Sequence, residues 1–467
     1  MTDLVIRGGT VVAATGSRRA DVAVRGGIIE AVEPDLSGPT AGADRVIDAT
    51  GMLVLPGAVD VHTHTRVASA AEPDRFFRDS VAAAFGGTTT FLAFNNPGTG
   101  SSPAAERSLL TGLREWTTAT SGDSAIDHGL ALAVSGRADD PLGELPATID
   151  AGVATSKAFM VFDFRLGDRQ LFEAMRLMGV RGGMLQVHCE DPVLLDAGIE
   201  AALSRGETAP RFHATVRPPY VEAVATARAL AFARATDAPV HVVHLSSAAA
   251  LEAVRRARAA GVRVSAETCP HYLVLTEERY EEPDPVRCAC SIISPPLRSA
   301  ADRDALWAGL ADGSLDVVAT DHVPDRMGVE KAAAAGGTPF PAISNGAPGI
   351  ETLLTLLYSE GVARGRITLE RMVELLATTP ARRFGLARKG ALEVGLDADL
   401  VVFDPAPTRT IRAADLHHTS DYTPYEGLLV RGAVRDVLVR GGEVVRDGRF
   451  VGRRGAGQQV ARGPIAD

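Results

Sequence analysis

A TIM-like (β/α)8 barrel with a small β-sandwich domain built from both termini is the α/β architecture that this 467-residue sequence predicts. Three observations predict it. Both ends of the chain are rich in β-branched residues and Gly turns. The middle alternates about eight short apolar runs with Ala-rich helical stretches. The polar residues within those runs gather at their C-terminal ends.

The N-terminal segment reads LVIRGGTVV, ADVAVRGGIIEAV and RVIDATGMLVLPG. Its residue types and turns predict short antiparallel strands. RGG recurs at Arg7, Arg25 and Arg440, each time between apolar runs, and predicts hairpin turns. The C-terminal DADLVVFDP and VRDVLVRGGEVVRDGRF have the same style. Residues 1–55 and 386–450 are therefore expected to pair into one small domain. Residues 451–467 are polar and Gly-rich, which predicts an arm or a disordered tail.

Between them, residues 56–385 carry the barrel. Its candidate strands are AVDVHTH, TTTFLAF, HGLALAV, ATSKAFMVF, GMLQVHCE, PVHVVHLS, VRVSAETCP and LDVVATDH. They are almost continuously apolar, as parallel strands buried on both faces must be. RDSVAAAFG, YVEAVATARALAFARA and AAALEAVRRARAAG between them carry helical periodicity.

Composition excludes several classes. The chain is 46% apolar and 23% charged, an ordinary globular balance. A net charge of −10 argues against nucleic acid and anionic membrane surfaces as partners. No apolar run reaches the roughly 18 residues of a membrane span. MTDLVIRGGTVV has no basic stretch followed by a long apolar one, so no secretory signal is expected. Four cysteines in a chain of this length fit reduced thiols and a cytoplasmic location.

Only three of the 48 basic residues are lysines: Lys157, Lys331 and Lys389. Where a positive charge suffices, this chain uses Arg, so a Lys inside an apolar run needs a chemical reason. Lys157 is such a residue. Lys331 and Lys389 lie in polar segments and are expected on the solvated surface.

His62 and His64 end the first run, and their spacing of two puts them on one side of a strand. Lys157 lies in the fourth run, His188 ends the fifth, His244 the sixth and Asp321 the eighth. The C-terminal rim of a barrel is where chemistry is carried out. Imidazole and carboxylate are ligands for Zn, Mn, Fe or Ni. Four His and one Asp exceed the three protein ligands usual for one catalytic zinc, which points to two divalent metal ions. A bridging ligand is then needed. A neutral Lys157 that adds carbon dioxide becomes a carbamate with two oxygens, which an arginine cannot do.

The chain resembles the cyclic amidohydrolases: dihydropyrimidinases, hydantoinases, allantoinases and dihydroorotases. LPGAVDVHTH, GGTTT, TSKAFM, QVHCE, RPPYVEA, HVVHLSS, AETCPHYL, SPPLR, ATDH, NGAPGIE, GLDADLVVFDP and DYTPYEG carry the resemblance over nearly the whole chain. It implies His62, His64, Lys157 and Asp321 around one metal, and Lys157, His188 and His244 around the other. The carbamate of Lys157 would be shared, and zinc is the implied metal. The resemblance further implies hydrolytic opening of a cyclic amide or ureide. The metal pair would activate the nucleophile and polarise the carbonyl, with Asp321 carrying a proton to the leaving nitrogen. Ser294 and Asn345 match positions whose backbone groups hold the ring amide. A homotetramer is implied as well.

Three positions depart from the hydantoinase pattern. Phe162 stands where hydantoinases carry a Tyr whose hydroxyl supports the oxyanion; Phe has no donor. Arg66 and Asn96 match the residues with which dihydroorotases hold a substrate carboxylate, and Glu330-Lys331 leans the same way. The loops around Ser69–Arg75 and Phe159–Arg165 match those that contact ring substituents. The readings to be weighed are thus a hydantoinase or dihydropyrimidinase, a dihydroorotase- or allantoinase-like hydrolase of a carboxylated or ureido ring, and a non-catalytic scaffold. Retention of every ligand position opposes the last.

Overall fold

The computed structural model describes residues 2–36, 43–95, 102–334 and 336–465. Eight parallel strands follow one another around the barrel in chain order. They are Ala58–Thr63, Thr88–Phe94, Asp127–Val134, Thr155–Phe159, Met184–His188, Val240–Val242, Val264–Thr268 and Val317–Val318. All of their residues are buried, which is why they read as unbroken apolar runs rather than alternating ones. The ring closes where Thr63 bridges His322 and the His64 N–H donates to the His322 carbonyl at 2.7 Å. The connecting helices include Arg75–Phe85, Pro219–Thr236 and Ala248–Ala259. They turn Phe76, Ala229 and Leu251 inward onto the barrel.

Strands from both termini form a separate nine-stranded mixed sheet. Its seam is the antiparallel pairing of Leu53–Pro56 with Leu400–Thr410. The sheet is not wholly antiparallel: Leu4–Ala13 runs parallel to both Arg45–Asp48 and Leu53–Pro56. Ile6, Val22, Val24, Val54, Leu400 and Leu438 form its core.

Two of the three RGG turns are hairpin turns: Arg25 precedes the strand Ile28–Glu33, and Arg440 precedes Gly442–Arg446. The RGG at Arg7 is instead a bulge inside Leu4–Ala13, where the register shifts between Ile6 and Gly9. Gly8 has φ +72°, and a Cβ there would meet Thr50 Oγ1 at 2.7 Å. The glycines serve close approach to the segment that follows Asp48, not chain reversal.

Residues 451–465 are not a disordered tail. They run as an arm along the N-terminal ends of the barrel strands, opposite the rim that carries His62, His188 and Asp321. The His128 N–H donates to the Gln458 carbonyl at 3.0 Å, and the Val460 N–H to the His128 carbonyl at 2.7 Å. Gly457 lies so near Ile126 that any Cβ would overlap its carbonyl. Arg462 is buried, and its guanidinium donates to Thr155 Oγ1 at 2.6 Å.

The surface expectation for Lys331 and Lys389 fails. Lys331 is fully buried and donates to the Ile292 and Ser344 carbonyls. Lys389 is buried among Asp127, Asp397 and Asp399, with Nζ–O distances of 2.7, 3.0 and 2.7 Å. Both lie in polar sequence, but their partners come from other parts of the chain.

Candidate metal centre

The first barrel strand ends by presenting His62 and His64 to the axis, with their Nε2 atoms 3.3 Å apart. Asp321, just past the eighth strand, sets Oδ1 3.0 Å from His62 Nε2 and 3.1 Å from His64 Nε2. Lys157, in the fourth strand, brings Nζ to 2.9 Å from His62 Nε2. The rings of His188 and His244 meet edge to face at 4.5 Å, and His244 lies 5.3 Å from His62. His62, His244 and Asp321 each offer one ligand atom within 4.8 Å of the others. All six residues are buried. His244 (φ +39°) and Asp321 (φ +48°) adopt left-handed backbone conformations as the chain leaves the strand, an arrangement costing L-residues about 1–3 kcal/mol each.

Burial and neighbouring charges shift the titration of these groups. Burial lowers His64 to about 4 against the opposing pull of Asp321, so its imidazole is neutral at pH 7. Burial likewise lowers His188 and His244. Burial raises the Asp321 carboxyl, but the nearby charge of His62 and the hydrogen bonds from His62 and His64 outweigh it. The group is held well below the usual carboxylate range. Burial pushes Lys157 down to about 8. Its Nζ sits 5.0 and 5.2 Å from the centroids of the Phe94 and Phe159 rings.

Two carboxylates absent from the sequence reading complete the centre. Glu267 joins His62 Nδ1 through Oε1 and His241 Nε2 through Oε2, the latter at 2.9 Å. Glu190 Oε2 lies 2.8 Å from His188 Nε2. Each holds one ring nitrogen and leaves the other, Nε2 of His62 or Nδ1 of His188, for a ligand's role. Carboxylates commonly orient metal-binding imidazoles in this way. The signal was present, since both acids end barrel strands as the histidines do. His64, His188 and His244 held as neutral imidazoles, His62 drawn against its burial towards its charged form by Glu267 and Asp321, and the Asp321 carboxylate together form a donor set that fits divalent cations of the zinc type.

The cavity over this centre has a volume of about 230 Å³. A larger cleft of about 660 Å³ opens beside Phe212 and Tyr280, but no histidine lines it. The buried histidines and Asp321 mark the smaller one as the candidate site. Phe159, Phe162 and Phe164 form one wall, with ring centroids 5.0–5.9 Å apart. Phe162 has φ +69°, and its ring lies 5.4 Å from that of His188. Ser294 and Asn345 form the opposite wall, where Ser294 Oγ donates to Asn345 Oδ1 at 3.0 Å. Arg66 lines the mouth, but its terminal nitrogens are taken by Asp325 and Glu330. Asn96 lies outside the described residues.

Residues 53–445 match the Amidohydrolase family. The chain is 39% identical to the D-hydantoinase of Ralstonia pickettii, covering 98% of this chain and 99% of that one. It is also 39% identical to the D-hydantoinase of Geobacillus stearothermophilus, covering 99% and 97%. Among solved structures, a dihydropyrimidinase from Brevibacillus agri superposes with a TM-score of 0.92 at 39% identity, over 99% of both chains. An L-hydantoinase from Arthrobacter aurescens does so with a TM-score of 0.89 at 29% identity, over 99% of this chain and 100% of that one. With matches along its whole length and this cluster of buried histidines and carboxylates at the barrel rim, the chain belongs to the amidohydrolase family.

Proposed function

We propose that this protein opens a cyclic amide or ureide by hydrolysis, as hydantoinases and dihydropyrimidinases do, giving an N-carbamoyl or other open-chain acid. The observation that carries the reading is the convergence of His62, His64, Lys157, His188, His244 and Asp321 beneath one small cavity. Two zinc ions are the proposed cofactor. His62, His64 and Asp321 would hold one, His188 and His244 the other, with a carboxylated Lys157 between them. When bound, they polarise the scissile carbonyl and make water nucleophilic at neutral pH.

The chain's own groups supply the rest. Asp321 is ionised at neutral pH and open to the cavity, so its carboxylate takes the proton of the attacking water and returns it to the leaving ring nitrogen. Ser294 and Asn345 orient the ring amide. Phe159, Phe162 and Phe164 exclude water and receive an apolar ring substituent. Phe162 has no hydroxyl to place on the oxyanion, so that stabilisation falls on the metal side of the site.

The dihydroorotase-like reading needs Arg66 free for a carboxylate. Its engagement by Asp325 and Glu330 favours an uncharged ring instead. Filled ligand positions oppose a scaffold role. The protein is proposed to act in the cytoplasm, which its four free cysteines fit. No helix of the described residues is long and apolar enough to cross a membrane. A homotetramer is proposed, with exposed Val193, Tyr220 and Val224 as apolar surface available for subunit contact. Light scattering giving a monomer mass at micromolar concentration would remove the tetramer.

The deciding experiment pairs metal analysis with ring opening of dihydrouracil, hydantoin, allantoin, dihydroorotate and a cyclic imide. Two zinc equivalents per chain and turnover of the uncharged rings are expected. Metal-loaded protein that opens none of the five would overturn the reading.

A further inference from the structure

Lys331 lies outside the metal centre, yet it is one of only three lysines and is fully buried. Its Nζ donates to the Ile292 carbonyl at 3.0 Å and to the Ser344 carbonyl at 2.8 Å. Ile292 is two residues before Ser294, and Ser344 immediately precedes Asn345. The Ile292 carbonyl also accepts from the Gly346 N–H at 2.9 Å, and Ser294 Oγ donates to Asn345 Oδ1 at 3.0 Å. Two segments 51 residues apart in sequence are thus cross-linked at three points, and one of these is a lysine from a third segment.

We infer that Lys331 is a positioning residue that sets the spacing of the Ser294 and Asn345 segments, the wall against which the substrate ring amide is held. The chemistry asks for this residue type. An ammonium can donate to two carbonyls that point to one centre, whereas a planar guanidinium spreads its donors over a wider fork. No carboxylate hydrogen-bonds to Nζ among the described residues: its direct partners are main-chain oxygens, and the buried Asp325 carboxylate favours its charge through space. Burying a charge on carbonyl partners is costly and follows no surface or solubility need. The peptide it grips carries the pocket: Ser294, Ser344, Asn345 and Gly346 all line the cavity. The third segment is also tied to the pocket mouth, because Glu330, the preceding residue, bonds Arg66 and Arg75.

This inference rests on the ring-opening reading of the site. The test therefore starts from wild-type protein that opens an uncharged cyclic amide; absence of that activity would defeat the earlier reading instead. Lys331→Met removes both contacts, and Lys331→Gln keeps a neutral donor on a side chain one atom shorter. For Lys331→Met, KM should rise tenfold or more while kcat falls less than about threefold, since a loosened wall loses binding that ground state and transition state share. Zinc content should be unchanged. Hydrogen–deuterium exchange should speed up at residues 292–297 and 344–349. Lys331→Gln should recover part of the KM. An unchanged KM with a lowered melting temperature would overturn the inference, as would failure of both variants to fold, because either assigns Lys331 to stability alone. Joint loss of kcat and zinc would also overturn it, by placing the effect at the metal centre.

Discussion

Arg66 Nη1 donates to Glu330 Oε1 across 2.8 Å, and this contact joins the loop after the first barrel strand to the loop after the eighth. Arg66 Nη2 also pairs with Asp325, which is fully buried. The residue that would have read a substrate carboxylate is already paired with two acids of its own chain.

Arg66→Met is therefore expected to act on stability, not on charge selection. It leaves Asp325 buried without its cation, a loss of roughly 3 kcal/mol or more. Thermal unfolding should show it. The ratio of catalytic efficiencies on dihydroorotate and dihydrouracil should stay within about threefold of wild type, whereas a charge-assisted contact to substrate would carry about 1.5–3 kcal/mol. A selective loss on dihydroorotate would restore the carboxylate reading.

Lys157→Ala should remove most activity and at least one zinc per chain. Metal analysis and turnover measured on the same preparation check this. Mass spectrometry of gently handled wild type should show the mass of one added carbon dioxide. An active Ala variant with full metal content would eliminate the bridge.

Asp321→Asn should retain the fold and lower kcat by about 10²–10⁴, the usual contribution of a positioned proton-transfer group. A steady-state assay at saturating substrate measures it. A loss of less than about tenfold would mean that another group moves the proton.

Glu267→Gln should weaken zinc binding by about 10–100-fold, as loss of a carboxylate behind a ligating imidazole commonly does. Competition with a chelator gives the affinity. The substitution exchanges the acceptor at His62 for an amide while leaving the donor set intact.

The mouth cluster should loosen in acid. Burial raises the Glu330 carboxyl, but the Arg326 N–H, the Arg75 side chain and the charge of Arg66 outweigh it and bring it down to about 2 from 4.5. A depressed carboxylate contributes its stability above pH 4.5 and loses it as pH falls towards 2. Wild type should therefore lose melting temperature over that window more steeply than Glu330→Gln, which carries no titrating group there. Parallel curves for the two proteins would contradict the assignment.

The barrel and its rim were legible because their signals are local. A strand buried on both faces needs an unbroken apolar run, and His, Lys and Asp gathered at the C-terminal ends of several such runs mark one shared rim. His62, His64, Lys157, His188, His244 and Asp321 stood out against that background. Only the tertiary structure decided what depends on partners distant in sequence. Arg66 meets Glu330 across 264 residues, and Lys389 meets Asp127 across 262. In sequence, Lys331 and Lys389 sit among polar neighbours like surface residues; in space, two carbonyls hold one and three aspartates the other. The Arg7 glycines read as a turn, because a bulge and a hairpin use the same residue and differ only in which segment lies alongside. The polar arm at 451–465 read as loose chain, because its order comes from hydrogen bonds to the barrel floor and not from apolar periodicity of its own. Local pattern determines which backbone form a segment favours. Which charge meets which is set by chain packing.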